Sequence, residues 1–398
     1  MDFTRSCAGV GTGEDDWGIK KMDISTNCIH GSEDPTDCSG SVTIPIYQTA
    51  TFAHPGVGQS TGYDYSRLQN PTRESLEKTI AGLEHGDDAM AFSSGMAALA
   101  AVMELFHSGD HMIASDDLYG GSIRLFRGIS EKNGLTFDFV DTSDLAAVEK
   151  LIKPQTRALF IETPTNPMMH VTDLQKASAL AKAHNMLVIV DNTFLTPYFQ
   201  NPIVLGADIV LHSGTKYLCG HNDTLAGFAV TATPELSERL RYIFKTTGAC
   251  LSPFDSWLLI RGIKTLPVRV EKQQENAMKL AQWLCGHPKV KKVYYVGLSS
   301  HRDYEVSRRQ ARGFGAMISF ETDSEETARK LLANVKLIMF AESLGGVETL
   351  ITYPMMQTHA DLPKEEREAK GINERLLRIS VGLEHIDDLI ADLGQALR

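Results

Sequence analysis

The sequence predicts an α/β protein with a large domain built on a mostly parallel β-sheet and a smaller α+β domain at the C-terminus. From about residue 87, short apolar runs alternate with helical patterns, which is typical of a parallel sheet covered by helices on both faces. After about Ser256 the pattern changes to long charged helices around a few short strands. The length of 398 residues exceeds the size at which one core usually stops growing, so two domains are expected.

The predicted elements follow one another in a regular order. Apolar or extended runs predict strands at 89–92, 112–114, 135–140, 158–161, 187–190 and 209–212. Helical patterns open at Gly95, begin near Gly120, follow a cap at Ser143 and Asp144, and span 173–184. Beyond these, helices are predicted at 268–284, 325–334 and 384–397, around strands such as 317–320.

We expect three segments along the chain: an N-terminal arm over 1–62, a large domain over 63–256 and a small domain over 257–398. The first 21 residues are interpreted as a flexible lead-in. They lack the apolar stretch of a signal peptide and the acid-poor character of a transit peptide.

Composition and charge disfavour several classes of partner. The net charge of −11 comes from 50 acidic and 39 basic residues without a basic block, which disfavours nucleic acid and anionic membranes. Apolar runs stay well short of the ~20 residues of a membrane span. The six cysteines form no C-x-x-C pair, so we expect a cytoplasmic protein rather than a disulfide framework.

Two strand ends carry the residues that indicate chemistry. The strand at 187–190 leads into Asp191, and the strand at 209–212 leads into Ser213, Thr215 and Lys216. A carboxylate and a lysine with neighbouring hydroxyls suit pyridoxal 5'-phosphate. Its aldehyde condenses with the lysine, its ring nitrogen faces the carboxylate, and its phosphate takes hydroxyl and N–H donors. The sequence therefore predicts an enzyme of amino-acid chemistry.

Polar residues follow four separate strands, at 93–96, 163–167, 191–193 and 213–216. Ligands of open parallel sheets bind outside the carboxyl ends of the strands, so these segments are expected to converge. Ser94, Gly95 and Met96 open a helix whose N–H groups and dipole can hold a phosphate. Gly95 lets that backbone approach closely.

Ordinary structural interpretations remain open beside the functional ones. Asp191 alone is also a plausible turn former, and Tyr119 a packing aromatic. The spacing of the histidines predicts no metal site. Because no P-loop, H-E-x-x-H or G-x-S-x-G motif occurs, those enzyme classes are disfavoured. A nicotinamide-dependent oxidoreductase and a non-catalytic binding module stay as alternatives from other classes.

Nine sequence blocks, in one order, resemble the cystathionine-metabolism family of fold-type I pyridoxal-phosphate enzymes, the trans-sulfuration enzymes. The resemblance runs from roughly Ile24 to the C-terminus. The blocks are Y-D-Y-S-R at 63–67, N-P-T-R at 70–73, S-G-M at 94–96, L-Y-G-G at 118–121, E-T-P-T-N-P at 162–167, V-D-N-T at 190–193, Lys216, A-E-S-L-G-G at 341–346 and L-R-I-S-V-G-L-E at 377–384. The resemblance implies an aspartate-aminotransferase-like fold in which the large domain binds pyridoxal phosphate.

The resemblance also implies roles for residues around the cofactor. Lys216 is expected to be the Schiff-base lysine and proton shuttle, and Asp191 the partner of the pyridinium nitrogen. Tyr119 is expected to stack on the ring and to assist proton transfer. The phosphate is expected to contact Ser94, Gly95, Met96, Ser213 and Thr215.

Further implied roles concern the substrate and a second subunit. Tyr65 and Arg67 are expected to complete the phosphate site of a neighbouring subunit, which implies a dimer, usually doubled to a tetramer. Arg378 is expected to clamp the substrate α-carboxylate, helped by Asn166 and Ser343. One departure is Gly214, where many relatives have alanine.

Within the family, Asp64 resembles the γ-synthases, and both Asp64 and Glu342 are expected to contact substrate. Glu342 stands where one β-lyase branch has an aromatic residue, and a carboxylate there can receive a distal ammonium. Gly121 disfavours the methionine γ-lyases, which carry cysteine. The motifs favour cystathionine γ-synthase, which replaces the acyl group of an O-acylhomoserine with cysteine. Cystathionine γ-lyase, cystathionine β-lyase and O-acetylhomoserine sulfhydrylase stay open.

Overall fold

The computed structural model describes residues 22–31, 40–357 and 363–398. The lead-in predicted for the first 21 residues lies outside these ranges. None of the helices in the described ranges has the length and apolar character that a membrane span requires.

A seven-stranded sheet forms the centre of the large domain, with strand order β1-β7-β6-β5-β4-β2-β3. The strands are β1 (Asp88–Phe92), β2 (His111–Ser115), β3 (Thr136–Val140), β4 (Thr156–Glu162), β5 (Leu187–Asp191), β6 (Ile209–Ser213) and β7 (Gly227–Thr231). Strand β7 runs antiparallel to β1 and β6, and the other pairs are parallel. The mostly parallel sheet predicted from the sequence is therefore confirmed.

Helices cover both faces of this sheet. They are α1 (Ile24–His30), α2 (Pro71–Glu84), α3 (Gly95–Met103), α4 (Gly120–Leu125), α5 (Leu145–Lys150), α6 (Leu174–Ala183), α7 (Thr196–Phe199), α8 (Pro234–Thr247) and α9 (Pro253–Ile263). Two core clusters result, because alternate strand residues point to opposite faces. Val190 and Val210 belong to one cluster, and Ile189 and Leu211 to the other.

A five-stranded sheet forms the second domain, with strand order β10-β11-β12-β9-β8. Its strands are β8 (Val290–Tyr294), β9 (Met317–Thr322), β10 (Met339–Phe340), β11 (Leu350–Thr352) and β12 (Leu376–Ser380). The accompanying helices are α10 (Leu266–Cys285), α11 (Tyr304–Gln310), α12 (Glu325–Asn334), α13 (Lys364–Ala369) and α14 (Ile386–Ala396). The exact domain boundaries stay a prediction.

The loop that follows β10 brings the small domain against the large one. At Gly345 the backbone has φ of 80°, and a Cβ atom there would lie 2.6 Å from the main-chain nitrogen of Tyr217. Glycine is therefore required for this close approach. The approach carries Glu342 and Ser343 close to Lys216, which follows the carboxyl end of β6.

Candidate active site

Lys216 follows β6 and reaches the interface between the two sheets. Its Nζ donates a hydrogen bond to Ser343 Oγ at 2.7 Å. Burial, together with the positive charge of Arg378, lowers the pKa of Lys216 to about 8, against the opposing effect of Glu342. A substantial fraction of the amine is therefore neutral and nucleophilic near physiological pH.

Asp191 ends β5 and points to the same sheet face as Leu211, its partner in register on β6. Its Oδ1 accepts a hydrogen bond from Thr193 N at 3.0 Å. Burial raises the pKa of this carboxyl, while the Thr193 hydrogen bonds and the charge of His212 lower it. A cation placed against Asp191 would relieve the cost of burying the negative charge.

The N-terminus of α3 forms a cradle for an anion. Ser94 caps the helix by accepting a hydrogen bond from Ala97 N at 3.1 Å, while the N–H groups of Gly95 and Met96 have no acceptor within the helix. A Cβ atom at Gly95 would lie 3.1 Å from the Ser213 Cα, and one at Gly227 would lie 2.1 Å from Ser94 O. The glycines therefore let α3 approach the end of β6, and the cradle fits a phosphate.

Thr215 also lies beside this cradle, but its hydroxyl already has a protein partner. Its Oγ1 accepts a hydrogen bond from Ala226 N at 3.0 Å. Thr193 has a similar bridging position, because its Oγ1 accepts a hydrogen bond from Ser213 N at 2.9 Å. These contacts fix the ends of β5, β6 and β7 relative to one another.

Arg378 lies on β12 and is only 2% exposed. Its guanidinium donates to Asn166 Oδ1 at 2.8 Å, to Ser343 O at 3.1 Å and to Thr352 Oγ1 at 3.2 Å. Burial lowers the pKa of Arg378 to about 10, so the group stays charged at neutral pH. Its Nε is buried without a partner in the described part of the chain, which leaves a donor for a carboxylate.

Tyr119 stands immediately before α4 with 42% of its surface exposed. Its main-chain nitrogen donates a hydrogen bond to Glu162 Oε2 at 2.9 Å. The ring lies over Gly121, where a Cβ atom would come within 2.4 Å of the Tyr119 Cε1. Glycine at 121 is therefore compatible with this ring position, and a larger side chain would displace the ring.

An acidic cavity of about 600 Å³ opens beside Lys216. Its lining includes Thr215 and Ser343 together with the carboxylates Asp223, Glu342 and Glu348. Glu348 accepts a hydrogen bond from Asn222 Nδ2 at 2.7 Å, whereas the Glu342 side chain is exposed. Such a lining favours a ligand that carries an ammonium group.

Three predicted site residues have other contacts within the chain. Tyr65 is 44% exposed and lies beneath the guanidinium of Arg67, at 5.6 Å from ring centroid to Cζ. Arg67 donates a hydrogen bond to the main-chain oxygen of Lys245. Asp64 accepts one from Ser60 Oγ at 2.9 Å. The structure thus brings together the other predicted residues around Lys216, but places these three in the segment that precedes α2.

The sequence did not predict several residues that hold the site together through hydrogen bonds. Thr193 and Glu162 lie inside blocks that were recognised, but neither received a role of its own. Thr352 carries no sequence signal, because a lone threonine in a strand is ordinary. Asn222 and Glu348 meet only through the packing of the two domains, so no local pattern could have paired them.

A family model described as Cys/Met metabolism PLP-dependent enzyme matches residues 25–398. The chain belongs to this family. It is accordingly a pyridoxal-phosphate-dependent trans-sulfuration enzyme, which confirms the cofactor and the family predicted from the sequence. The geometry fits that cofactor, since an amine, an acidic partner and a phosphate cradle occur at one end of the sheet.

Similar proteins carry three different activities. Cystathionine γ-lyase of Bacillus subtilis is 51% identical, over 94% of this chain and 99% of the relative. Cystathionine β-lyase of Lactococcus lactis is 49% identical, over 94% of this chain and 98% of the relative. The crystal structure of cystathionine γ-synthase from Xanthomonas oryzae, in complex with aminoacrylate and cysteine, superposes with a TM-score of 0.90 at 38% identity, covering 95% of this chain and 98% of that one.

Proposed function

We propose that this enzyme acts on the cystathionine skeleton, and that its principal reaction is the γ-replacement predicted from the sequence motifs. In that reaction the acyl group of an O-acylhomoserine leaves Cγ and the sulfur of cysteine takes its place. The observation that carries the proposal is the acidic cavity, whose lining includes Glu342 and also Ser343, the residue that accepts the hydrogen bond from Lys216 Nζ. A substrate with a distal ammonium group fits this arrangement, because its amino-acid head would lie near Lys216 and Ser343 and its ammonium group near Glu342.

The residues at the strand ends divide the work at the reacting centre. Lys216 is proposed to bind the cofactor aldehyde and, once released, to move protons between carbon atoms of the substrate. Asp191 keeps the ring nitrogen protonated, and the N-terminus of α3 with Ser213 and Thr215 receives the phosphate. The bound cofactor supplies the electron sink for loss of the α-proton. Ser343 supports the amine of Lys216 through its hydroxyl.

Substrate orientation is proposed to depend on two opposite charges. Arg378, whose Nε has no partner among the residues that the structure describes, binds the α-carboxylate, while Asn166 and Thr352 keep the guanidinium plane fixed. Glu342 receives the distal ammonium of cysteine or cystathionine at the mouth of the cavity. Tyr119 covers the cofactor ring from the start of α4.

Elimination is a second candidate reaction, favoured by the similarity to lyases. The relatives named γ-lyase and β-lyase are 51% and 49% identical to this chain. Cleavage of cystathionine uses the same lysine, arginine and acidic cavity as its synthesis. The two directions differ in whether water or a thiol reaches the intermediate.

The assay that separates these reactions uses purified protein with pyridoxal phosphate. One series offers O-acetyl- or O-succinylhomoserine with cysteine, a second replaces cysteine by sulfide, and a third offers cystathionine alone. We expect cystathionine to form in the first series. Rapid oxo-acid release from cystathionine with negligible synthesis rejects γ-replacement. The matched variant Glu342→Gln is expected to weaken reactions of cysteine and cystathionine, while the reaction with sulfide is spared.

We also propose that Asp64, Tyr65 and Arg67 serve the site of a neighbouring subunit in a homo-oligomer. Support comes from their exposed positions and from their contacts outside the Lys216 cluster. Arg67→Ala is expected to lower cofactor occupancy without changing the molecular mass of the assembly. Unchanged occupancy in an intact oligomer contradicts the shared site.

A further inference from the structure

Glu162 is a buried carboxyl at the cofactor end of the large sheet that has no role in the reaction described above. It ends β4 and is 5% exposed. It pairs in register with Asp191, the last residue of β5. In-register residues of parallel neighbours point to the same face at a strand spacing of about 4.8 Å, so the two carboxyls lie side by side.

The contacts of Glu162 tie it to the residue that covers the cofactor. Its Oε2 accepts the hydrogen bond from Tyr119 N at 2.9 Å, at the start of α4. Its own main-chain nitrogen donates to Ser115 Oγ at 3.3 Å. Glu162 therefore fixes Tyr119 through the backbone, whether or not its carboxyl is ionised.

Three ionisable groups face Glu162 from the elements packed around it, and burial raises the pKa of one of them, Asp117, to about 7. Asp191 comes from β5, Asp117 from the segment before α4, and Arg378 from β12. Burial and the two neighbouring carboxylates raise the pKa of Glu162 well above its usual range, and Arg378 only partly opposes this. Adjacent buried carboxylates do not both ionise readily. Asp191 has backbone and side-chain hydrogen bonds from Thr193 and the charge of His212 to favour its charged form, whereas Glu162 has the hydrogen bond from Tyr119 N and the charge of Arg378.

We propose that Glu162 is a positioning residue that works as a neutral acid. In this form it holds Tyr119 through the main-chain N–H and leaves the negative charge opposite the cofactor ring nitrogen to Asp191. The inference rests on cofactor binding at Lys216, but not on whether the enzyme makes or cleaves cystathionine.

The test is Glu162→Gln, because glutamine is the uncharged isostere of a protonated glutamate. The dissociation constant of pyridoxal phosphate is expected to stay within about threefold of the parent, since the amide oxygen keeps the Tyr119 hydrogen bond. A group whose pKa is raised in the folded state costs the parent stability as pH increases above the ordinary glutamate pKa. The thermal midpoint of the variant, relative to the parent, is therefore expected to rise between about pH 5 and pH 8.

Two further variants make the result decisive. Glu321→Gln removes a buried carboxylate that Tyr294 and Arg375 contact at 2.6 and 2.9 Å in the small domain. This control is expected to be less stable than the parent at neutral pH and to bind the cofactor normally. Glu162→Ala removes the acceptor for Tyr119 and is expected to weaken cofactor binding more than Glu162→Gln does.

An anionic role for Glu162 gives the opposite pattern. In that case Glu162→Gln would lose more than about tenfold in cofactor affinity, or would become less stable than the parent as pH rises. Either result overturns the inference. If the parent itself takes up no pyridoxal phosphate, the proposed function fails, and the thermal comparison still decides the protonation of Glu162.

Discussion

Buried carboxyl groups on the two faces of strands β5 and β6 differ in the number of hydrogen bonds that they accept from the protein. On one face, Glu84 is fully buried and accepts hydrogen bonds from three side chains. The donors are Asn192 Nδ2 at 2.8 Å, His212 Nε2 at 2.7 Å and Asn201 Nδ2 at 3.4 Å. We call this carboxylate matched, because hydrogen-bond donors of the protein itself satisfy it. Its role is therefore to stabilise the fold.

On the opposite face, the carboxyls of Asp191 and Glu162 have few protein donors. Each accepts one main-chain hydrogen bond, from Thr193 N and Tyr119 N respectively. Burial raises the pKa of both groups, which shows that the fold does not fully compensate their charge. The contrast teaches that an incompletely matched carboxyl at a strand end indicates a ligand site, whereas a matched one indicates structure.

The largest change in activity is expected from a substitution at the face that carries Asp191 and Glu162. Lys216→Ala should lower turnover by more than about 10³-fold, because it removes the amine that is proposed to bind the cofactor and to carry protons. With both proteins cofactor-free, the unfolding midpoint should stay close to that of the parent, since a partly neutral lysine contributes little to stability. The rate of product formation, the visible absorbance of the cofactor and a denaturant titration measure these three properties. Near-normal turnover would refute the role of Lys216.

On the opposite face, the substitution Glu84→Ala removes the carboxylate that accepts the three side-chain hydrogen bonds. We expect it to lower the free energy of unfolding by about 3–5 kcal/mol, because buried His212 Nε2 would lose its acceptor. Asn192 and Asn201 would each lose one acceptor and keep a main-chain oxygen, of Gln200 and Leu83 respectively. Activity of the folded fraction should fall less than stability does. Denaturant unfolding and the kcat of folded protein provide the two numbers.

Glu84→Gln is the control for this experiment, since it keeps the volume and one acceptor oxygen. It should lie between Glu84→Ala and the parent in stability. A Glu84→Ala protein as stable as the parent would show that the two faces do not differ in the way the contacts indicate.

The smallest expected effect is a shift in the pH dependence of cofactor uptake at Lys216. In cofactor-free protein, the rate of loading with pyridoxal phosphate should rise as pH passes about 8, because only the neutral amine of Lys216 attacks the aldehyde. Arg378→Gln should move this midpoint upward, since Arg378 lowers the pKa of the lysine. Glu342→Gln should move it downward. Stopped-flow absorbance measures the rate, and a midpoint that ignores both charges would contradict the electrostatic explanation.

Much of the fold followed from local pattern. The predicted helix at 325–334 coincides with α12, and the helix predicted to open at Gly95 begins there because Ser94 caps it. The helix predicted from residue 384 begins instead at Ile386, because the backbone of His385 is extended and its side chain caps the helix by accepting a hydrogen bond from Asp387 N at 3.4 Å. Strand β7 was not predicted, and its antiparallel direction depends on pairing with β1 and β6.

Local apolar runs and helix caps were enough to predict that Asp191, Lys216 and Ser94 stand at strand ends. Which groups share a face of the sheet, and which meet across the domains, depends on the complete fold. Ser343 accepts a hydrogen bond from the amine of Lys216, which lies 127 residues away in the sequence. Glu162 becomes a neighbour of Asp191 through the register of β4 and β5. The physical reason is that register and domain packing are set by burial over the whole core, which no local segment encodes.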